Sequence, residues 1–450
     1  MDRTAVVAVL EEQALLLDLA GENMFKVRAY ANGARALEGY EGPWPPEAKD
    51  LKAVKGIGAG LQSDVQELLR DGKLAAYETL KANTPAGLLD MLEIPGLGAK
   101  KVKAIHDGLA ITTVGELEYA CLENRLVDLP GFGEKTQAKV LVSIERWKRN
   151  RGKRLYADVV TQAEELLAVV EQLPGVQRAA IAGAMRRKCE VVDEVVFVAA
   201  TTDAAATLKA FHAQEKGLTA GSASETAASI NLPLGLPATL YVTTSAGFGL
   251  ELLRRTGSDA FVASLGALAE AADESQLTGV PPELREGPAP SGALPTLVED
   301  RDLLGVFHVH TRYSDGEATV RDMALKARQL GYSYLGISDH SEAAFYARGL
   351  KRDALMEQRK EIEALNAELD GMTVLAGIEA DILVDGSLDY DDETLARFDF
   401  VIGSVHSRFG QDLDTMTRRL VRALEHPHLT MLGHMTGRLL LSREAYDFDL

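Results

Sequence analysis

Apolar and polar positions follow three different rhythms along the 450-residue chain. Up to about residue 155 one short signal recurs three times, in "VKGIGAGLQSDVQELL" (Val54 to Leu69), "IPGLGAKKVKAI" (Ile94 to Ile105) and "LPGFGEKTQAKVLVSI" (Leu129 to Ile144). Each copy is an apolar residue, a Gly-x-Gly turn and then apolar positions at helical spacing. From about 156 to 272 the pattern becomes mixed. "RAAIAGAMRR" and "CEVVDEVVFVAA" predict apolar strands around a turn, and "ATLYVTTS" predicts another. Five of the fifteen prolines (Pro281, Pro282, Pro288, Pro290 and Pro295) then predict a linker across 273–300. Beyond it, five apolar strands each finish in residues able to bind a metal: "LLGVFHVH", "YLGISDH", "VLAGIEAD", "FVIGSVH" and "TMLGHMTG". Steps of 32, 39, 27 and 28 residues separate His308, His340, Glu379, His406 and His434, the length of one strand plus one helix. Such strands are predicted to run parallel, with their C-terminal ends on one rim.

The triple repeat points to phosphate. Glycines at Gly56, Gly58, Gly96, Gly98, Gly131 and Gly133 permit tight turns, and the N–H groups of the helix that follows face outward as an anion site. Lys55, Lys100, Lys101 and Lys135 lie beside these turns, so the signal reads as helix-hairpin-helix grips on a DNA backbone. Past the third copy, "ERWKRNRGKRL" adds six basic residues against one acid.

At the strand ends stand five of the nine histidines, and imidazole with carboxylate suits Zn, Mn or Fe. His308, His310, His340, Glu379, His406 and His434 are the candidate ligands, with Asp315 of "HTRYSDGE" added from the first loop. Asp339 and Asp381 are weaker candidates, because a strand-end Asp often caps a helix.

In the middle segment, Gly183, Arg186 and Arg187 ahead of a strand suggest a nucleotidyltransferase. Such an enzyme needs two carboxylates on one strand face, two residues apart. Asp193 and Glu194 are adjacent instead, so on one strand they would point oppositely.

Charge modifies this picture only by its distribution. The net −19 disfavours nucleic acid, yet residues 1–154 hold 22 basic and 22 acidic residues, leaving the whole deficit to the rest. Cys121 and Cys189 form no redox or metal motif, and no run of about 18 apolar residues exists. A cytoplasmic protein without a membrane span is expected.

"LAGENMFKVRAYANGARALE", the three hairpins, "GAMRR", "RRTGSDAF", "PELRE", "FHVHTRYSDGE" and "HMTGRLL" fall in an order that resembles the bacterial family X DNA polymerases carrying a C-terminal PHP (polymerase and histidinol phosphatase) domain. The resemblance implies a multidomain α+β protein. Its expected parts are helical hairpin domains at 1–82 and 83–155, a nucleotidyltransferase-like α/β palm at 156–272, the linker, and a (β/α)7 PHP barrel at 301–450. It further implies a centre of two to three Mn or Zn ions on the seven ligands, Glu379 bridging two of them. Glu379, His310, Asp315 and Arg438 would act on the phosphodiester at a DNA 3′ end. In the palm, Gly183, Arg186, Arg187, Gly257 and Ser258 match nucleotide-binding positions. The family's acids, however, align with Glu194, Val196 and Thr239, and its triphosphate-contacting Ser with Ala184. The palm is therefore not expected to hold Mg or Mn or to use a dNTP. Asp64 stands where a lyase Lys would be. The family's final Asp-x-His motif lies beyond five strands, so the barrel is expected to be incomplete as the chain stands. The expected protein is a monomeric 3′–5′ exonuclease on gapped, nicked or 3′-end DNA. A gap-filling polymerase and a non-catalytic DNA-end scaffold are the alternatives.

Overall fold

The structure is a computed structural model that describes the chain except residues 2, 41, 47–50, 53, 55, 215–223, 233–234 and 267–278. Its contacts form two units, Met1–Pro288 and Ala289–Leu450.

The first unit begins with helices α1 (Arg3–Ala20), α2 (Met24–Glu38) and α3 (Ala59–Asp71), which share a core built on Leu10, Leu16, Leu37, Leu61 and Val65. Asn23 starts α2 by accepting the Phe25 N–H at 2.9 Å. A second helical core gathers Met91, Val102, Ile105, Leu117 and Ile144, from segments that include α4 (Ala99–Leu109) and α5 (Glu134–Asn150). All three repeats behave alike. The residue between the two glycines is buried (Ile57, Leu97, Phe132), and α3, α4 and α5 open right after the second glycine. The central apolar side chain thus anchors each turn while its glycines stay at the surface.

A four-stranded sheet follows, in the order β1 (Val176–Ala182), β2 (Val195–Thr201), β4 (Pro237–Thr243), β3 (Ala227–Asn231). β2 and β4 are parallel and both outer strands are antiparallel to their neighbours. Every residue of β2 is buried, as an unbroken apolar run requires of a strand covered on both faces. One face holds Phe197, Ala199, Leu240 and Val242; the other packs Val196 and Val198 under α6 (Phe248–Thr256). The predicted continuous strand through "CEVVDEVVFVAA" is broken. Val191–Val192 pairs with Arg154–Leu155, the chain bends at Asp193 and Glu194, and β2 starts at Val195. The opposite-face expectation for the two acids therefore corrects to a bend between strands.

The proline-rich stretch expected to link also differs. Arg285 is only 4% exposed, and its guanidinium donates to the Val280 carbonyl at 2.8 and 3.0 Å. Its own carbonyl accepts the Ser258 N–H at 2.9 Å, which ties the segment before Pro288 to the first unit.

In the second unit, β5 (Gly305–Val309), β6 (Tyr334–Ile337), β7 (Thr373–Asp381), β8 (Phe400–Ser404) and β9 (Met431–Leu432) form one parallel sheet in chain order. Helices including α7 (Arg352–Glu368) pack against it. Among the described residues this sheet supplies five strands of the expected (β/α)7 arrangement, with the strand ends on one side, as parallel pairing demands.

Candidate metal centre and nucleic-acid interface

Glu379, near the end of β7, is fully buried and surrounded by five imidazoles. His308 Nε2 lies 2.9 Å from its Oε1, His434 Nε2 2.9 Å and His406 Nε2 3.2 Å; His340 Nδ1 is 3.0 Å and His310 Nε2 3.3 Å from Oε2. Asp315 meets His310 Nδ1 at 2.9 Å and His340 Nε2 at 3.6 Å. All seven expected ligands converge in three overlapping groups: His308, Glu379 and His434; His310, Asp315 and His340; His340, Glu379 and His406. Within each group the ligand atoms lie within 4.8 Å of one another.

Electrostatics make Glu379 the hub. Burial alone would raise its carboxyl, but His308, His310, His340 and His406 outweigh burial and hold it well below the usual carboxylate range. Burial would lower the His406 imidazolium, whereas Asp381 and then Glu379 push it up to about 9. His308 and His434 have φ of 62° and 24°, an uncommon backbone for residues that carry a Cβ. Strain of this kind collects where function fixes a side chain.

The donors fit divalent cations. His340 Nδ1 and Glu379 Oε2 are buried and 3.0 Å apart, yet neither makes a hydrogen bond. Buried polar atoms left without a hydrogen-bond partner among such donors suit a cation.

Neither Asp339 nor Asp381 caps a helix, which corrects that expectation. Asp339, fully buried, accepts from Thr311 N–H (2.7 Å) and Oγ1 (2.7 Å), Ser314 N–H (3.2 Å) and Oγ (2.5 Å), and Gln358 Nε2 on α7 (2.5 Å). These bonds pin the loop that carries Asp315. Close approach at Gly316 completes the loop, since a Cβ there would lie 2.6 Å from the His310 carbonyl. Asp381 Oδ1 instead meets His406 Nδ1 at 2.6 Å and orients the ring toward Glu379. Sequence reasoning missed Thr311, Ser314 and Gln358; the hydroxyls inside "HTRYSDG" were the available signal. Arg438 is exposed just past the turn that follows His434.

At the hairpins, Gly56, Gly96 and Gly131 have φ of 104°, 89° and 86°, and Gly58, Gly98 and Gly133 are N-caps without side-chain hydrogen bonds. The first amides of α3, α4 and α5 consequently have no capping side chain. Lys100 and Lys135 are exposed beside them, whereas Lys101 Nζ donates to the Gly96 carbonyl at 2.8 Å. Lys55 lies outside the described residues. Part of the basic run is occupied: Lys148 pairs with Glu118 at 2.5 Å, and Arg151 pairs with Asp90 at 3.2 Å and covers Trp147. Asp64 accepts the Tyr30 hydroxyl at 2.6 Å, so no amine occupies that position.

The palm positions also come together. Arg186 donates to Thr256 Oγ1 at 3.0 Å; Arg187 donates to the Thr256 carbonyl at 2.6 Å and to Glu286 at 2.5 Å. Ser258, following Gly257, caps its own helix and donates to the Glu286 carbonyl. Gly183 opens the short helix that carries Arg186. A carboxylate of the chain thus already occupies Arg187. Among the described residues no metal-binding group of three acids or histidines lies in this unit. Desolvation, with Asp193 beside it, raises the Glu194 carboxyl.

Comparison with known proteins agrees with this architecture. Residues 1–74 match a helix-hairpin-helix domain, 88–146 a SAM-like helix-hairpin-helix tandem, and 307–442 a PHP domain. The DNA polymerase/3′-5′ exonuclease PolX of Bacillus subtilis (strain 168) is 30% identical over 482 aligned positions, covering 100% of this chain and 84% of the relative. The chain belongs to the family X DNA polymerases with a C-terminal PHP domain. Within that family the PHP part has wider kin. Probable phosphatases of Acetivibrio thermocellus and Caldicellulosiruptor saccharolyticus are 30% and 32% identical over 132 and 141 residues, in each case 28% of this chain and 52% of the relative. No described helix of this family X chain is long and apolar enough to cross a membrane.

Proposed function

We propose that this family X protein is a cytoplasmic 3′–5′ DNA phosphodiesterase whose chemistry resides at the Glu379 cluster and whose palm is a scaffold. One observation carries the reading. Seven ligands converge in the PHP unit, while the palm positions aligned with the three family acids hold Glu194, Val196 and Thr239.

Two or three Mn or Zn ions on the seven ligands would neutralise phosphate charge and acidify a water nucleophile. Glu379, shared between two of the groups, would bridge ions. Asp381 and Asp339 hold His406 and the Asp315 loop in place, so little reorganisation is needed when DNA arrives. Arg438 would steady the phosphate from the rim. The hairpin amides, with Lys100 and Lys135, would grip the backbone of gapped, nicked or 3′-end DNA.

Incubating the protein with 3′-labelled DNA and Mn should release nucleotides, and His310→Ala should abolish that release. Equal release by the variant would refute the reading. A second reading, templated gap filling, is favoured by the name of the Bacillus relative. The apolar packing of Val196 and the Glu286 carboxylate on Arg187 weigh against it.

A further inference from the structure

Between His340 and α7 the chain forms a tight loop, Ser341–Leu350, that inverts the usual burial of apolar side chains. Ala344 and Ala347 are 0% and 3% exposed, whereas Phe345 is 85% and Tyr346 61% exposed. Burying both rings would be favourable, and elsewhere on this chain Phe197, Phe211 and Phe261 are fully buried.

Looseness does not explain the exposure. Glu342 N–H donates to Tyr390 Oη at 3.2 Å, Ala343 N–H to Asp389 Oδ2 at 3.0 Å, and Leu350 N–H to the His340 carbonyl at 2.8 Å. Tyr390 Oη in turn donates to the Leu350 carbonyl. At Gly349 the backbone passes so close to Ser341 that a Cβ would lie 1.8 Å from its carbonyl oxygen. The loop is anchored on both sides and holds two aromatic rings outward.

Their place is specific. Tyr346 lies 6.1 Å from the His340 ring and 6.4 Å from the His406 ring, centroid to centroid, so Tyr346 borders the ligand cluster. Phe345 and Tyr346 are 6.0 Å apart with planes at 79°, two walls of a corner. A flat heterocycle can lie against one wall with an edge directed at the other.

A phosphodiester at the cluster brings its own nucleobase with it. We propose that Phe345 and Tyr346 form a stacking platform for the unpaired 3′-terminal base of the strand whose phosphodiester lies at the Glu379 cluster. The inference rests on the phosphodiesterase reading and adds to it the binding site for the leaving nucleotide. Stacking tolerates any base, since each has a π face, but a base still held in a duplex must first leave its partner. The platform therefore makes the enzyme prefer frayed, mismatched or single-stranded 3′ ends of any sequence.

The test pairs two single-stranded oligonucleotides that share the same final phosphodiester, one ending in a normal nucleotide and one in an abasic residue. Wild-type protein with Mn should cleave the base-bearing end with a KM roughly fivefold to a hundredfold lower, the range expected of one or two aromatic stacks. Phe345→Ala combined with Tyr346→Ala should erase that preference while leaving cleavage of the abasic end unchanged. Tyr346→Phe should keep it. Wild type and double variant sharing one preference would overturn the platform and leave the phosphodiesterase reading standing. So would a double variant that loses both activities equally, which would mark the rings as structural. Release from neither oligonucleotide by wild type would overturn the phosphodiesterase reading and the platform together.

Discussion

Val196 on β2 is registered directly beside Thr239 on β4, in a parallel pair that continues through Phe197 and Leu240. Two positions where the resemblance places family acids are thus cross-strand neighbours, and Glu194 stands just before the same strand. What would be an acidic triangle is a valine packed under Phe248 and Leu252, a threonine and one exposed carboxylate.

Glu194→Gln should therefore help the protein rather than harm it. Desolvation raises the Glu194 carboxyl in the folded state, so its contribution to stability is full below the ordinary carboxyl pKa of about 4.3 and is lost as pH rises through the folded value. The variant should melt higher than wild type at pH 7, and the gain should vanish in acid. Thermal scans at both pH values check this, and nucleotide release should be unaffected.

The PHP cluster should respond to pH in the opposite sense for metal. Without an ion, His406 keeps its proton up to about 9 and favours the folded state most below about 6.5, its ordinary pKa, an advantage that fades as pH rises through 9. A cation must displace that proton, so Mn or Zn affinity should climb with pH until about 9. Calorimetry in buffers of different ionisation enthalpy would reveal the released protons. Affinity independent of pH would contradict the assignment of His406.

Asp339→Asn should weaken the centre without touching a ligand. The replacement loses acceptor capacity where five donors converge, which leaves buried N–H or O–H groups unpaired and frees the Asp315 loop. Mn affinity is expected to fall about 10- to 100-fold. Metal titration of the purified variant measures it.

On the hairpins, Lys100→Gln with Lys135→Gln should flatten the salt dependence of gapped-DNA binding by about two units, roughly 0.9 for each lost phosphate contact. Lys101→Gln should act differently, because its ammonium serves the Gly96 carbonyl. It should lower the melting temperature and change the slope less.

The convergence of these His, Glu and Asp side chains was legible because parallel pairing fixes where the strand ends meet. The hairpins were legible for a similar local reason: each glycine pair sets its own turn. Long-range choices were not. Nothing near Arg187 in sequence announces that Glu286, 99 residues away, would occupy it. Likewise, the break at Asp193 depends on Arg154–Leu155 pairing with Val191–Val192, and Asp339 gained its role from a loop and a helix outside its own strand. Strand propensity also cannot foretell the positive φ at His308 and His434, both of which lie against Glu379.

The most direct measurement places a 5′-labelled primer on gapped DNA with Mn and all four dNTPs, and follows its length. Wild-type protein should shorten the primer, Glu379→Gln should leave it intact, and Glu194→Gln should shorten it as wild type does. A primer that lengthens in the wild type and stops lengthening in Glu194→Gln would contradict the account, because it would return the chemistry to the palm.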